Sequence, residues 1–367
     1  MIKITKSDEE SEPPDWRRIL AQSLTNLSEL PEYLKSPDGK LQEVVERYPM
    51  KINPYYLGLI KEKEDPLYNQ AVPSLEEITN TFGELDPLHE EQKGVPELIT
   101  HRYPDRVLFL VSNQCAMYCR FCTRKRKVGD PTKQPNSKQI NEGLEYIASH
   151  SEIKDVLLSG GDPLILSNKK LEEIISSVYD ILSVRKDKYD SSGIIRIGTR
   201  IPAVLPQRIT PDLCEMLKKY HPLYINTHFN HPKEITPESR KACTMLTNAG
   251  IPFGNQTVLL KNVNNNIKTM KSLNRGLISM RVKPYYLYQC DPVKGVGHFI
   301  TPPEEILKIY ESLRGHISGL AVPLPVIDAP GGGGKIPFLP ERYIKEINEK
   351  GVFLTNYLGY TYFYPRV

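Results

Sequence analysis

The chain has 367 residues, more than one small core needs but suited to a single α/β barrel with additions. Charged residues make up 25% and hydrophobic ones 39%, and 48 basic against 44 acidic side chains leave a formal charge of +4, too small to mark a nucleic-acid binder. No apolar run approaches the roughly 18 residues of a bilayer-crossing helix, and the acidic start MIKITKSDEESEPPDW is unlike a secretory signal, so a cytoplasmic protein without membrane or nucleic-acid partners is expected.

Residues 1–15 read as a loosely tied arm. From Trp16 to about Glu91 polar helical stretches are cut by Pro31, Pro49, Pro54, Pro66, Pro73 and Pro87, which predicts short helices joined by turns. With the arm they form an expected helical accessory region, residues 1–95. From Val107 the texture changes. Apolar, β-favouring runs at 107–111, 155–159, 194–197, 223–226, 257–260 and 283–288 alternate with amphipathic segments at 137–149, 169–182, 211–220, 237–249 and 267–280. Six strands alternating with helices predict parallel βαβ units, an α/β partial (β/α)6 barrel over 96–335. One more helix is expected near 304–314, then a Gly-rich loop at 330–335, and residues 336–367 are a C-terminal extension.

The loop leaving the first strand holds Cys115, Cys119 and Cys122 with spacing C-x3-C-x2-C, while Cys214, Cys243 and Cys290 stand singly. Clustered cysteines in a reducing compartment more often hold metal than form disulfides. Three thiolates bind three irons of a [4Fe–4S] cubane and leave the fourth open to a small molecule. A structural zinc site would need a fourth ligand, and none is near. The loop also lies at the C-terminal ends of the strands, where such barrels carry chemistry.

Other motifs fall on the same face. Ser159-Gly160-Gly161-Asp162 follows the second strand and is either a turn or a close backbone approach to a ligand. His228 and Gln256 belong to later strand ends. PGGGGK ends in Lys335, but Ile336 stands where a phosphate loop needs Ser or Thr, so the run reads better as a flexible loop delivering an amine to an aldehyde such as that of pyridoxal phosphate. Asp291 and Asp328 also fall on this face, and two carboxylates closed into one pocket call for a cation between them.

The stretches HRYPDRVLFLVSNQCAMYCRFCTRKR (101–126), LLSGGDPL (157–164), RIGTRIPAVLPQRIT (196–210), NTHFNHP (226–232), GNQTVLL (254–260), YYLYQCDPVKGVGHF (285–299) and DAPGGGGK (328–335) stand in order along the chain. Together they resemble the lysine 2,3-aminomutase branch of the radical S-adenosylmethionine superfamily, a likeness running from about Tyr55 to Tyr362. It implies a radical-SAM barrel, with Ser159, Gly160, Gly161, Asp162, His228 and Gln256 holding S-adenosylmethionine. It implies pyridoxal phosphate on Lys335, with Arg102, Tyr103 and Arg106 at its phosphate or ring, and Arg124 on the substrate carboxylate. Lys125 and Arg126 receive no role beyond solvated charge or neutralisation of the thiolates.

In lysine-specific members the positions of Asp291 and Asp328 are both Asp, whereas glutamate mutases carry uncharged or basic residues there. The resemblance thus implies a 2,3-aminomutase acting on free L-lysine, with arginine, another basic amino acid or a lysine within a translation factor as alternatives. The alternative outside enzymes is an iron–sulfur or zinc binding protein. A low-potential donor of the flavodoxin or ferredoxin type and a homo-oligomer are expected. Some relatives bind zinc through a Cys-rich tail and an internal cysteine. Here Asn266 stands at the internal position and no such tail follows, so no zinc is expected.

Overall fold

Residues 15–36, 39–91, 93–185 and 193–366 are described by the computed structural model, so residues 1–14 of the expected arm lie outside them. Five short helices come first: α1 (Trp16–Ala21), α2 (Leu41–Arg47), α3 (Pro54–Leu59), α4 (Pro66–Ala71) and α5 (Glu76–Thr79). Asp15, Asn53 and Asp65 accept the first free backbone N–H groups of their helices, and Pro54 and Pro66 fit the first turn because no N–H is needed there. These helices and the turns between them bury Trp16, Leu34, Ile52, Tyr56 and Leu67 in the same apolar core as the strands that follow.

Among the described residues nine strands form one sheet in sequence order: β1 (Ile99–Tyr103), β2 (Arg106–Ser112), β3 (Asp155–Gly160), β4 (Ile194–Gly198), β5 (Leu223–Thr227), β6 (Phe253–Leu259), β7 (Lys283–Gln289), β8 (Leu324–Ala329) and β9 (Gly334–Pro337). Neighbours from β2 to β8 are parallel, and β1 and β9 add antiparallel edges. The parallel array is therefore one strand longer than the six expected; the added strand is β8, whose apolar run Pro325 interrupts. The strand expected at 257–260 begins earlier, at Phe253, where polar Asn255 and Thr257 are buried by pairing with Phe229 backbone and with each other. The two edges approach each other: the Lys335 backbone N–H donates to the Tyr103 hydroxyl at 2.8 Å, nearly closing the barrel.

The connections are α6 (Ser137–Ser149), α7 (Asn168–Ser183), α8 (Ile201–Val204), α9 (Pro211–Lys218), α10 (Pro237–Asn248), α11 (Ile267–Ser279) and α12 (Pro303–Leu313). Asn136, Ser167, Thr210, Thr236 and Asn266 cap five of them, each contact being worth about 1 kcal/mol. Asn266 thus has a local task, its Oδ1 accepting from the Thr269 N–H at 2.9 Å. Strands β10 (Ile344–Asn348), β11 (Gly351–Thr355) and β12 (Thr361–Pro365) form a separate antiparallel sheet. No helix among the described residues is long and apolar enough to cross a membrane.

Candidate functional site

The loop after β2 has no ladder of its own, so buried ion pairs hold it. Arg120 is buried and sends Nε and Nη2 to Glu77 at 2.9 and 2.5 Å, and Nη1 to the Pro49 carbonyl at 2.9 Å. Lys125 Nζ meets Glu77 at 2.6 Å and the carbonyls of Arg120 and Gly295 at 2.7 and 2.9 Å. Lys125 is therefore not a solvated charge; burial pushes its ammonium down to about 8 despite Glu77. Arg126 is also engaged, with Asp86 at 3.0 Å and Glu91 at 3.3 Å. These contacts pin the cysteine loop to the N-terminal helices.

Cys115, Cys119 and Cys122 are free thiols on this loop. Burial, reinforced by Asp162 and the other two cysteines, pushes the Cys115 thiol well above its usual range; burial and Cys119 push Cys122 up to about 11. Thiols that resist ionising alone become thiolates when a metal supplies positive charge. A cubane gives each thiolate its own iron, so the triplet fits it.

Arg200, just past β4, is a buried partner of the cysteine loop that sequence reasoning passed over. Its Nη1 lies 2.8 Å from Cys119 Sγ, its Nη2 2.6 Å from both Gln70 Oε1 and Glu234 Oε1, and its Nε 3.2 Å from the His228 carbonyl. Burial alone would make this cation costly; Cys119 and Glu234 outweigh it and hold the charge. The quoted stretch RIGTRIP contains Arg200, but nothing local marks it as a partner of a cysteine 81 positions earlier.

The Gly160–Gly161 pair serves a close approach between protein segments. A Cβ at Gly160 would stand 2.1 Å from the Ser112 carbonyl oxygen, and one at Gly161 2.3 Å from that of Gln114. The Asp162 carboxylate accepts from the Thr199 hydroxyl at 2.7 Å and from the Arg200 and Leu164 backbone N–H at 2.7 and 3.0 Å. His228 keeps a buried Nε2 without a partner, and burial pushes its ring down to about 3, so it stays neutral. That unsatisfied atom on the cluster side, beside Phe121 at 5.9 Å between ring centroids, fits a polar ligand there. Ser159 lies on β3 and Gln256 on β6, where Gln256 pairs in register with Tyr286.

On the opposite edge Lys335 pairs with Asp328 across β8 and β9, its Nζ 2.9 Å from Asp328 Oδ2 and 5.8 Å from the Tyr288 ring centroid. Arg102 Nη1 lies 3.5 Å from Asp328 Oδ1, and Arg102 Nε is buried without a partner. Gly334 has φ of +80°, and a Cβ there would meet the Tyr103 hydroxyl at 2.7 Å. Only glycine lets the chain turn against Tyr103. The amine, the adjacent aromatic ring and the unpartnered Nε of the Arg102 guanidinium fit an aldehyde cofactor with a phosphate. Arg106 stands at the start of β2, bonds Asp105 at 3.0 Å and stacks on the Tyr103 ring at 4.7 Å.

Asp291 joins this group. Burial and then Asp328 push its carboxyl up to about 7, with Lys335 opposing. The Asp291 carboxyl thus feels both Asp328 and the Lys335 ammonium. Arg124 makes a fork with Glu90, Nε to Oε2 at 3.0 Å and Nη2 to Oε1 at 2.6 Å. A cavity of about 700 Å³ touches Arg124, Ser112, Gly160 and Gly161, while Lys335, Asp291 and Asp328 do not line it.

Residues 109–273 match the family model described as the radical SAM superfamily, and residues 310–366 that described as lysine-2,3-aminomutase. The chain is 48% identical over 351 residues to L-lysine 2,3-aminomutase of Fusobacterium nucleatum, covering 94% of this chain and 80% of that one. It is 44% identical over 370 residues to L-lysine 2,3-aminomutase of Bacillus subtilis, covering 99% and 77%. Glutamate 2,3-aminomutase of Clostridioides difficile is 43% identical over 340 residues, covering 90% and 79%.

Proposed function

Because the chain belongs to the lysine 2,3-aminomutase family of the radical S-adenosylmethionine superfamily, we propose that it moves the α-amino group of free L-lysine to the β-carbon, giving β-lysine. The observation that carries the choice of lysine is the pair Asp291 and Asp328: Asp328 binds the Lys335 ammonium at 2.9 Å, and the buried Asp291 carboxyl feels both Asp328 and Lys335. A side-chain ammonium satisfies such a pair, whereas a glutamate side chain would be repelled.

Cys115, Cys119 and Cys122 hold the [4Fe–4S] cluster, and Lys335 holds pyridoxal phosphate. The cluster, when bound, supplies an open iron and a low-potential electron that cleave S-adenosylmethionine to a 5′-deoxyadenosyl radical; pyridoxal phosphate supplies an aldehyde and a ring that delocalises an unpaired electron. Arg200 keeps Cys119 charge-compensated and fixes the loop through Gln70 and Glu234. His228 presents a neutral ring nitrogen on the cluster side. Arg124 receives the substrate carboxylate, and Asp291 and Asp328 hold its far ammonium, so both ends are fixed while the middle carbons react. Tyr103 ties the Lys335 backbone to the β1 edge. A flavodoxin- or ferredoxin-type protein as electron donor and a homo-oligomeric state belong to the same reading.

The test is anaerobic incubation of reconstituted protein with L-lysine, S-adenosylmethionine, pyridoxal phosphate and a reductant, followed by amino-acid chromatography. β-Lysine is expected. Turnover of L-glutamate in place of L-lysine would reject the role given to the aspartate pair.

A further inference from the structure

The proposed substrate has two charged ends besides its reacting amine, a carboxylate and a side-chain ammonium. In the structure both receiving groups are matched by the chain itself. Lys335 Nζ stands 2.9 Å from Asp328 Oδ2, and Glu90 forms a two-bond fork on Arg124 at 3.0 and 2.6 Å. The Glu90 side chain is only 10% exposed and Arg124 17%. Glu90 also pushes the Asp291 carboxyl upward, after burial and Asp328.

Glu90 sits on a strap, residues 84–91, that crosses the barrel mouth. At one end the Glu84 N–H donates to the Pro292 carbonyl at 2.9 Å and the Lys294 N–H to the Glu84 carbonyl at 2.8 Å. In the middle the Gly331 N–H donates to the Pro87 carbonyl at 2.8 Å, and the Arg102 guanidinium donates to the Leu88 carbonyl. At the other end the Thr100 hydroxyl donates to the Glu90 carbonyl at 2.9 Å. The strap thus bonds directly to the glycine loop that delivers Lys335.

Resting on the function given above, we propose that Glu90 is an internal stand-in for the substrate carboxylate: the incoming amino acid displaces it from Arg124, and the strap restores it when product leaves. A buried guanidinium without an anion is costly, so the stand-in keeps Arg124 charged and aimed in the empty site. The exchange makes and breaks no covalent bond; one carboxylate replaces another on the same planar fork. Substrate affinity is correspondingly reduced by the fraction of molecules in which the fork is closed. If Glu90 instead stayed on the Nε edge while substrate took the other, it would be a positioning residue and its loss would weaken binding.

Equilibrium dialysis of anaerobically reconstituted holoenzyme with L-lysine, and with 1,5-diaminopentane, which lacks the carboxylate, separates these roles. Glu90→Gln is expected to bind L-lysine about tenfold more tightly, the worth of one charge-assisted fork, with diaminopentane binding unchanged. Equal or weaker L-lysine binding by the variant overturns the proposal. Glu90→Ala should show the same gain and lose it on adding acetate, which competes for Arg124; indifference to acetate also overturns it. Iron content and circular dichroism identify a variant that has failed to fold, in which case the other variant decides. Wild-type holoenzyme that binds no L-lysine at all defeats the functional reading, and the stand-in with it. Binding equal in wild type and variant defeats the stand-in alone.

Discussion

The two ends of the proposed reaction path are built on opposite principles. The cysteine loop is clamped: Arg120, Lys125 and Arg200 are buried, and their forks reach Glu77, Gln70 and Glu234 on distant elements. The lysine end is loose. Gly331, Gly332 and Gly334 all have positive φ, and the Lys335 side chain is 34% exposed. A metal cluster needs ligands that stay put, whereas an amine that must trade partners needs a loop that yields. The same fold supplies both by spending buried charge on one rim and glycine on the other.

The largest effect is expected at the loose end and on activity alone. Lys335→Ala should abolish turnover while iron content and unfolding free energy stay within about 0.5 kcal/mol of wild type, as for a surface change; a large loss of stability would erase the contrast. At the clamped end Glu77→Gln should do the reverse. Removing the one carboxylate between Arg120 and Lys125 leaves two buried cations unpaired and should cost about 3–5 kcal/mol in urea unfolding, with iron lost in parallel. Retained iron and stability would show that the loop is held by packing instead.

Smaller changes probe the cage. Asp328→Asn should raise the L-lysine KM about tenfold with a smaller change in kcat, because one of two carboxylates on the ammonium is gone. An unaltered KM places the cage elsewhere. The gentlest probe is pH. Asp291, held up to about 7 by burial and by Asp328, takes a proton as pH falls through that value, so L-lysine affinity should decline below it and Asp291→Asn should flatten the profile. The sign for stability is opposite. Between the ordinary carboxylate range and about 7 the folded chain holds a proton that the unfolded chain has released, so this group's contribution falls as pH rises.

Much of the site was legible because its signals are local. The C-x3-C-x2-C spacing, the lysine closing a glycine run and the apolar runs of β2 to β5 each lie within a few residues. The parallel order follows from strands alternating with helices. β8 was missed because Pro325 breaks its pattern, and β1 because ITHRY carries no apolar periodicity. The atoms that exclude a Cβ at Gly160 and Gly161 belong to Ser112 and Gln114, too far along the chain for a local pattern to show that approach.

What the sequence determined alone is the chemistry available: which residues can bind iron, which amine can meet an aldehyde, and which strands alternate with which helices. Only the tertiary structure decided how charge is distributed among them. Arg124 is paired with Glu90, Arg120 and Lys125 with Glu77, and Arg200 with Cys119 and Glu234, across separations of 34 to 81 positions. A fork between buried charges depends on where the barrel brings two side chains within about 3 Å, and no local pattern along the chain encodes that distance.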